Sequence, residues 1–136
     1  MPAYDKPLPE PTRDSQPHWD GLRAHKLVVQ RCRHCNRLRH YPRPVCAHCY
    51  SMDCDWIEVS GRGRIHSWTV THHAFHFAFK RELPYVSVLV DLDAGVRMQA
   101  PLVDGVNAKL ALELPVAIVF EDVTPDLTLP RFRLLT

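Results

Sequence analysis

The 136-residue chain has no long apolar run. No stretch approaches the roughly 18 apolar residues of a membrane-spanning helix, so a helical span and a membrane partner are not expected. The opening residues, MPAYDKPLPEPTRD, contain no apolar core of the kind a secretory leader needs, and the protein reads as cytoplasmic. Several motifs are missing too: G-x-S-x-G, H-E-x-x-H, the Walker loop and G-x-G-x-x-G. Gly61-Arg62-Gly63 is only a fragment of the last. Their absence removes the commonest signatures of hydrolases, zinc proteases and nucleotide-binding folds. Acidic residues are absent from Gly21 to Met52, where seven basic residues stand: Arg23, Lys26, Arg31, Arg33, Arg37, Arg39 and Arg43. From Asp53 onward acids outnumber bases, eleven to eight. A basic segment is therefore joined to a mildly acidic one. It is either a solvated face or a contact for phosphates or an acidic partner.

What the sequence does have is a pattern of cysteines. Cys32, Cys35, Cys46 and Cys49 form C-x2-C-x10-C-x2-C. Two such knuckles, joined by a short spacer, present four thiolates tetrahedrally to one ion. Zn2+ suits this donor set, and a closed four-sulfur shell leaves no position for substrate, so the metal is expected to be structural. In a reducing compartment, paired C-x-x-C motifs point to metal rather than to disulfides. Iron of the rubredoxin kind competes. Such sites often place glycine after the second cysteine of a knuckle, where this chain has Asn36 and Tyr50. Cys54 is a fifth cysteine, read as a bystander. His34 and His48 sit inside the knuckles and read as loop residues.

Around this pattern the chain divides into four parts. Residues 1–14, with four prolines, read as an extended arm, ordered only if it lies on a partner. Residues 15–26 read as a short helix, with Ser15 as cap, Pro17 in the first turn and Trp19 and Leu22 at helical spacing. Residues 27–52 read as a zinc ribbon: strand, knuckle, strand, knuckle. Residues 53–136 read as all-β. Trp56–Thr71 looks like one long strand bent at Gly61 and Gly63. Tyr85–Leu92, Val96–Leu102, Pro115–Phe120 and Leu129–Leu135 show period-2 alternation. Pro130 favours an edge position. Five strands, the first long and bent, suit a Greek-key barrel of the OB type. Asp104–Leu114 has room for no more than a helical turn. The fold class is thus mainly β: a short N-terminal helix, a rubredoxin-like zinc ribbon and a C-terminal five-stranded OB barrel.

The loop Thr71–Pro84 is unusually aromatic. Phe75, Phe77 and Phe79 alternate among His72, His73 and His76. They either cap the open end of the barrel or form a partner interface or acyl-pocket wall. No carboxylate or cysteine is interleaved to make a second metal site. Asp91 and Asp93 read as acids flanking a turn. Cys54 has no assigned base and makes a weak nucleophile.

An N-terminal helix, a C-x2-C-x10-C-x2-C ribbon and a five-stranded barrel, in that order, resemble one family. It is the acyl-CoA-associated zinc-ribbon/OB-fold family, catalogued as domain of unknown function thirty-five. Leu27-Val-Val-Gln-Arg-Cys-Arg-His-Cys35, Arg39-His-Tyr-Pro-Arg-Pro-Val-Cys46, Ser60-Gly-Arg-Gly63, Pro84-Tyr-Val86 and the Thr-Leu-Pro-Arg-Phe132 ending are similar to it. The resemblance covers about residues 15–135. It implies an accessory subunit, not an enzyme, that accompanies thiolase-fold enzymes such as thiolases, 3-hydroxy-3-methylglutaryl-CoA synthases and sterol side-chain aldolases. Lipid or steroid metabolism is its implied setting. Some members are fused to an enoyl-CoA hydratase domain. The implied metal ligands are Cys32, Cys35, Cys46 and Cys49; no catalytic residue carries over.

The reading is therefore a non-catalytic scaffold that assembles with a thiolase-fold enzyme as a hetero-oligomer and helps shape its acyl-CoA site. Lys80 and Arg81, beside the phenylalanines, are candidates to bind acyl-CoA phosphates. Trp19, Phe75, Phe77 and Phe79 are candidates for the partner interface. The alternative is a module that binds single-stranded nucleic acid, which the basic stretch favours. The acidic barrel and the paucity of stacking aromatics on its second and third strands (Tyr85 alone, at one end) oppose it. A rubredoxin-like electron carrier is a third reading.

Overall fold

The computed structural model describes residues 4–135. The chain runs α1 (Gln16–Arg23), β1 (Leu27–Cys32), β2 (Leu38–Arg39), β3 (Cys54–Val59), β4 (Arg62–Thr71), a 3-10 helix (Phe77–Glu82), β5 (Tyr85–Leu92), β6 (Arg97–Pro101), β7 (Pro115–Thr124) and β8 (Leu127–Leu134). Two antiparallel sheets result. The smaller has the order β2-β1-β3, the larger β6-β5-β4-β7-β8. A parallel bridge between Leu102 and Phe132, with Val103 N donating to Phe132 O at 2.8 Å, draws the two outer strands of the larger sheet together into a barrel.

The period-2 pattern identified the core correctly. Val86, Val88, Val90 and Leu92 of β5 are buried, as are Val96, Met98, Ala100 and Leu102 on and around β6. Ile65, Val116 and Phe132 complete the centre. Leu22 of α1 is fully buried, and the helix packs on β1 and β8. In the alternating segment Pro115–Phe120 only Val116 is fully buried; Ile118 and Phe120 are partly buried, and Phe120 stacks on His25.

The expected single strand Trp56–Thr71 is two strands. β3 pairs with β1 along its whole length, Leu27 opposite Val59 and Cys32 opposite Cys54. At Gly61, with φ of +75°, the chain turns away into β4. Gly61 must lack a side chain, because an added Cβ would lie 2.2 Å from Ile118 Cγ2. A second bend, at a β-bulge around His66, lies between Ile65 and Ser67 and was not foreseen. Residues 104–114 form turns only. The N-terminal arm also departs from expectation, since residues 4–9 lie on this chain's own barrel.

Candidate metal centre and aromatic loop

The two knuckles are built alike. Cys32 N donates to Arg37 O and Asn36 N donates to Cys32 O, both at 2.9 Å. In the second knuckle Cys46 N donates to Ser51 O and Tyr50 N to Cys46 O, again at 2.9 Å. Each turn forces the residue after its second cysteine into the left-handed region: Asn36 and Tyr50 both have φ of 64°. Asparagine tolerates that conformation; tyrosine does so at some cost. The glycine requirement noted for rubredoxin-like sites is thus met here by conformation rather than by residue type.

This symmetry brings the four sulfurs of Cys32, Cys35, Cys46 and Cys49 within 4.8 Å of one another. Cys32 Sγ lies 3.4 Å from Cys49 Sγ, and Cys35 Sγ 3.7 Å from Cys46 Sγ. A tetrahedron with Zn–S bonds of about 2.3 Å has sulfur–sulfur edges of about 3.8 Å. The donor set and its spacing therefore fit one Zn2+. Backbone N–H groups of Cys49 and His48, aimed at Cys46, lower its thiol to about 6. The N–H groups of Cys35 and His34 lower Cys32 in the same way. The Ser51 N–H favours the Cys49 thiolate, but burial and the three neighbouring sulfurs win and push that thiol up to about 12. Four thiolates this close repel one another, and a divalent cation at their centre is what lets all four ionise together.

The basic stretch is less available than it looks in sequence. Arg31 forms a two-pronged pair with Asp55, at 3.0 and 2.8 Å, across the β1–β3 ladder. Arg39 is buried and donates through Nε to Gln30 Oε1 at 2.7 Å. Arg33, Arg37 and Arg43 remain exposed around the knuckles. Sequence reasoning missed the Gln30–Arg39 contact, because a polar residue in a short strand gives no sign of burial.

The aromatic loop is only partly a cap. Phe75 is 95% exposed and Phe77 70% exposed. Ala78 is the buried member of the 3-10 helix, and His76 Nδ1 accepts from Ala78 N at 3.1 Å to start it. Phe79 alone turns inward, toward Tyr85 at 6.2 Å between ring centroids. Lys80 is exposed, while Arg81 donates to Asp5 Oδ2 at 2.9 Å. Trp19 is half-buried, edge-on to His18 at 5.2 Å.

Two family profiles match the chain: "ChsH2, rubredoxin-like zinc ribbon domain" over residues 19–53 and "ChsH2, C-terminal OB-fold domain" over residues 56–121. A solved structure described as "Ltp2-ChsH2(DUF35) aldolase" superposes with a TM-score of 0.83 at 40% identity, covering 93% of this chain and 98% of that one. The chain belongs to the ChsH2 (DUF35) zinc-ribbon/OB-fold family. The ribbon of this family accounts for the metal: its four cysteines are a structural Zn2+ site. ChsH2-type relatives include a probable enoyl-CoA hydratase alpha subunit of Thermomonospora curvata, 41% identical over 94% of this chain. Another is the 3-oxo-4,17-pregnadiene-20-carboxyl-CoA hydratase alpha subunit of Mycobacterium tuberculosis, 37% identical over 89%. The chain spans 40% and 38% of those two proteins. No helix among the described residues is long and apolar enough to cross a membrane.

Proposed function

We propose that this chain is a non-catalytic accessory subunit, working in the cytoplasm, that assembles with a thiolase-fold enzyme acting on acyl-CoA, a thiolase or a sterol side-chain aldolase. The observation that carries the reading is the exposure of Phe75 and Phe77 on a loop that a lone barrel has no use for. Two phenylalanines held in water cost free energy that a partner's apolar surface recovers. The half-buried Trp19 and the exposed aromatics of the ribbon, Tyr41 and Tyr50, extend the same chemistry; Phe79, expected at the interface, turns inward toward Tyr85 instead. In this reading the helix (15–26) and ribbon (27–52) dock on the enzyme. The barrel, from β4 to β8, borders the acyl-CoA entrance, with Lys80 and Arg81 near the phosphates. The family's "aldolase" structure and its hydratase alpha subunits support a shared acyl-CoA setting and a partner chain.

Co-expression with an aldolase subunit of the Ltp2 type tests it. A stoichiometric complex by size exclusion and light scattering is expected, with Phe77→Asp remaining a free, zinc-loaded subunit. Undiminished assembly of Phe77→Asp sinks the interface. Turnover of an acyl thioester by the isolated chain sinks the accessory role.

A further inference from the structure

The arm clasps the 3-10 helix with both polar side chains of its Asp5-Lys6 pair. Lys6 Nζ lies 2.6 Å from Glu82 Oε1, and Asp5 accepts from Arg81 at 2.9 Å. The Lys6 ammonium also sits 5.4 Å from the centroid of Phe79 and 5.9 Å from that of Tyr4. At its far end the arm is tied to α1 by hydrogen bonds between Thr12 and Ser15. Between these anchors Pro7 and Pro9 form one side of a groove of about 520 Å³. Phe79, Tyr85, Leu102 and Leu129 are among the apolar groups on the barrel side. That volume lies in the range of pockets that hold small organic molecules. The charges at the rim compensate one another, Lys6 on Glu82 and Arg131 on Glu121. Such a mouth favours a neutral apolar body over a charged head group.

We propose that this groove is a binding site for the apolar body of an acyl group, and that residues 4–9 are its movable roof, latched through Asp5 and Lys6. The proposal rests on the acyl-CoA reading above but names a different place. Of the residues already considered for acyl or partner contact, only Phe79 borders the groove; Lys80 and Arg81 do not. Arg81 is part of the latch instead. Asp5–Arg81 is an exposed pair, and Lys6–Glu82, with Lys6 largely covered, reaches solvent at its Glu82 end; such pairs are individually weak and screened by salt, so the roof opens without unfolding the barrel. An entering chain would lift the arm, and Arg81, already largely exposed, would lose its Asp5 partner and stand free beside Lys80 for an anion.

The test uses the zinc-loaded full chain and Nile red, a neutral fluorescent probe. Raising salt from about 50 to about 500 mM is expected to tighten probe binding to the wild type about threefold, as the latch is screened. The Asp5→Ala/Lys6→Ala variant is expected to bind about threefold tighter than wild type at low salt, with no further gain at high salt. Val103→Trp, which narrows the groove from a half-exposed position, is expected to abolish binding in either background. Decanoyl-CoA is expected to displace the probe. Equal probe affinity in wild type and unlatched variant at every salt concentration overturns the roof. Undiminished binding by Val103→Trp places the probe elsewhere and overturns the site. Failure of decanoyl-CoA to displace groove-bound probe overturns the acyl occupant. Assembly with the thiolase-fold partner is read separately, so the accessory role stands or falls on other data.

Discussion

Cys54 stands directly across the β1–β3 ladder from the zinc ligand Cys32. Arg33 N donates to Asp53 O at 3.0 Å, so the neighbouring Cys32–Cys54 pair is of the non-hydrogen-bonded kind, with Cα atoms about 4.5 Å apart. A fifth thiol is therefore on the same face as the cluster without belonging to it; it accepts instead from the Gln30 amide at 3.7 Å. Cys54→Ser is expected to keep one Zn2+ per chain and to change stability by less than about 1 kcal/mol. Cys32→Ser is expected to lose tight binding, with Cys54 not substituting. Metal content by mass spectrometry, with a chromogenic chelator as competitor, checks both. Loss of zinc in Cys54→Ser would make it a ligand.

Removing the metal should separate the two sheets in stability. The β1–β2 contact is only two residue pairs long, Gln30–Arg39 and Arg31–Leu38, and the knuckles have little apolar burial of their own. Cys46→Ser, or chelation of the wild type, is expected to expose the amides of residues 27–50 to exchange. The amides of β5, in the centre of the barrel, should stay protected. Equal loss of protection in β5 would show that the barrel does not stand without the ribbon. A Cys46→Ser variant that keeps one tightly bound Zn2+ would overturn the four-ligand assignment.

Gly63 is the glycine most closely hemmed in by backbone. A Cβ there would lie 2.4 Å from Asp91 O, 2.7 Å from Val90 Cγ1 and 2.9 Å from Leu92 Cα. Two of these atoms are backbone and cannot move without opening the β4–β5 ladder. Gly63→Ala is expected to cost about 2–4 kcal/mol, measured by urea denaturation of the zinc-loaded protein. Gly95, where an added Cβ meets nothing within 4 Å but φ is +96°, is expected to cost less. Similar losses at both sites would mean that the neighbours of Gly63 give way, so that its crowding costs no more than the unfavourable φ at Gly95.

Patterns that repeat along the chain were legible. The cysteine spacing gave the ligand set because two i, i+3 knuckles have one simple geometry. Alternation gave β5 and β6 because one face of each is wholly buried. What was not legible depends on partners distant in sequence. β3 alternates well enough to have joined either sheet, and only the pairing of Trp56 with Gln30 and of Asp55 with Arg31 decides for the ribbon. The arm has too few apolar residues to suggest burial, and its docking depends on Glu82 and Arg81, 76 positions away in each pairing. The loop phenylalanines gave one signal in sequence but have two fates, since the 3-10 turn points Phe79 inward and leaves Phe75 and Phe77 in water.

His18 and His40 meet where α1 packs on the ribbon, with ring centroids 5.1 Å apart. Burial lowers both imidazoles to about 4; for His40 the nearby His18 adds to it. Neither ring nitrogen of His40 has a partner, nor does His18 Nδ1. Both rings are therefore neutral in the folded protein at neutral pH. The unfolded chain takes up protons near the ordinary histidine value of 6.5, before the folded one does. Stability is complete above that value, falls as the pH drops toward about 4 and then levels off. Zinc-bound thiolates also respond to acid, but equally in any variant that keeps the cluster. His40→Leu keeps an apolar filling and removes one of the two protonations. It is expected to be no less stable than wild type at pH 7, since two unpaired buried nitrogens are lost with the ring. At pH 5 it should be more stable than wild type by about 1–2 kcal/mol. Urea denaturation of the two zinc-loaded proteins at both values checks this. Parallel pH profiles would mean that the His40 ring reaches solvent in the folded state and takes up its proton there.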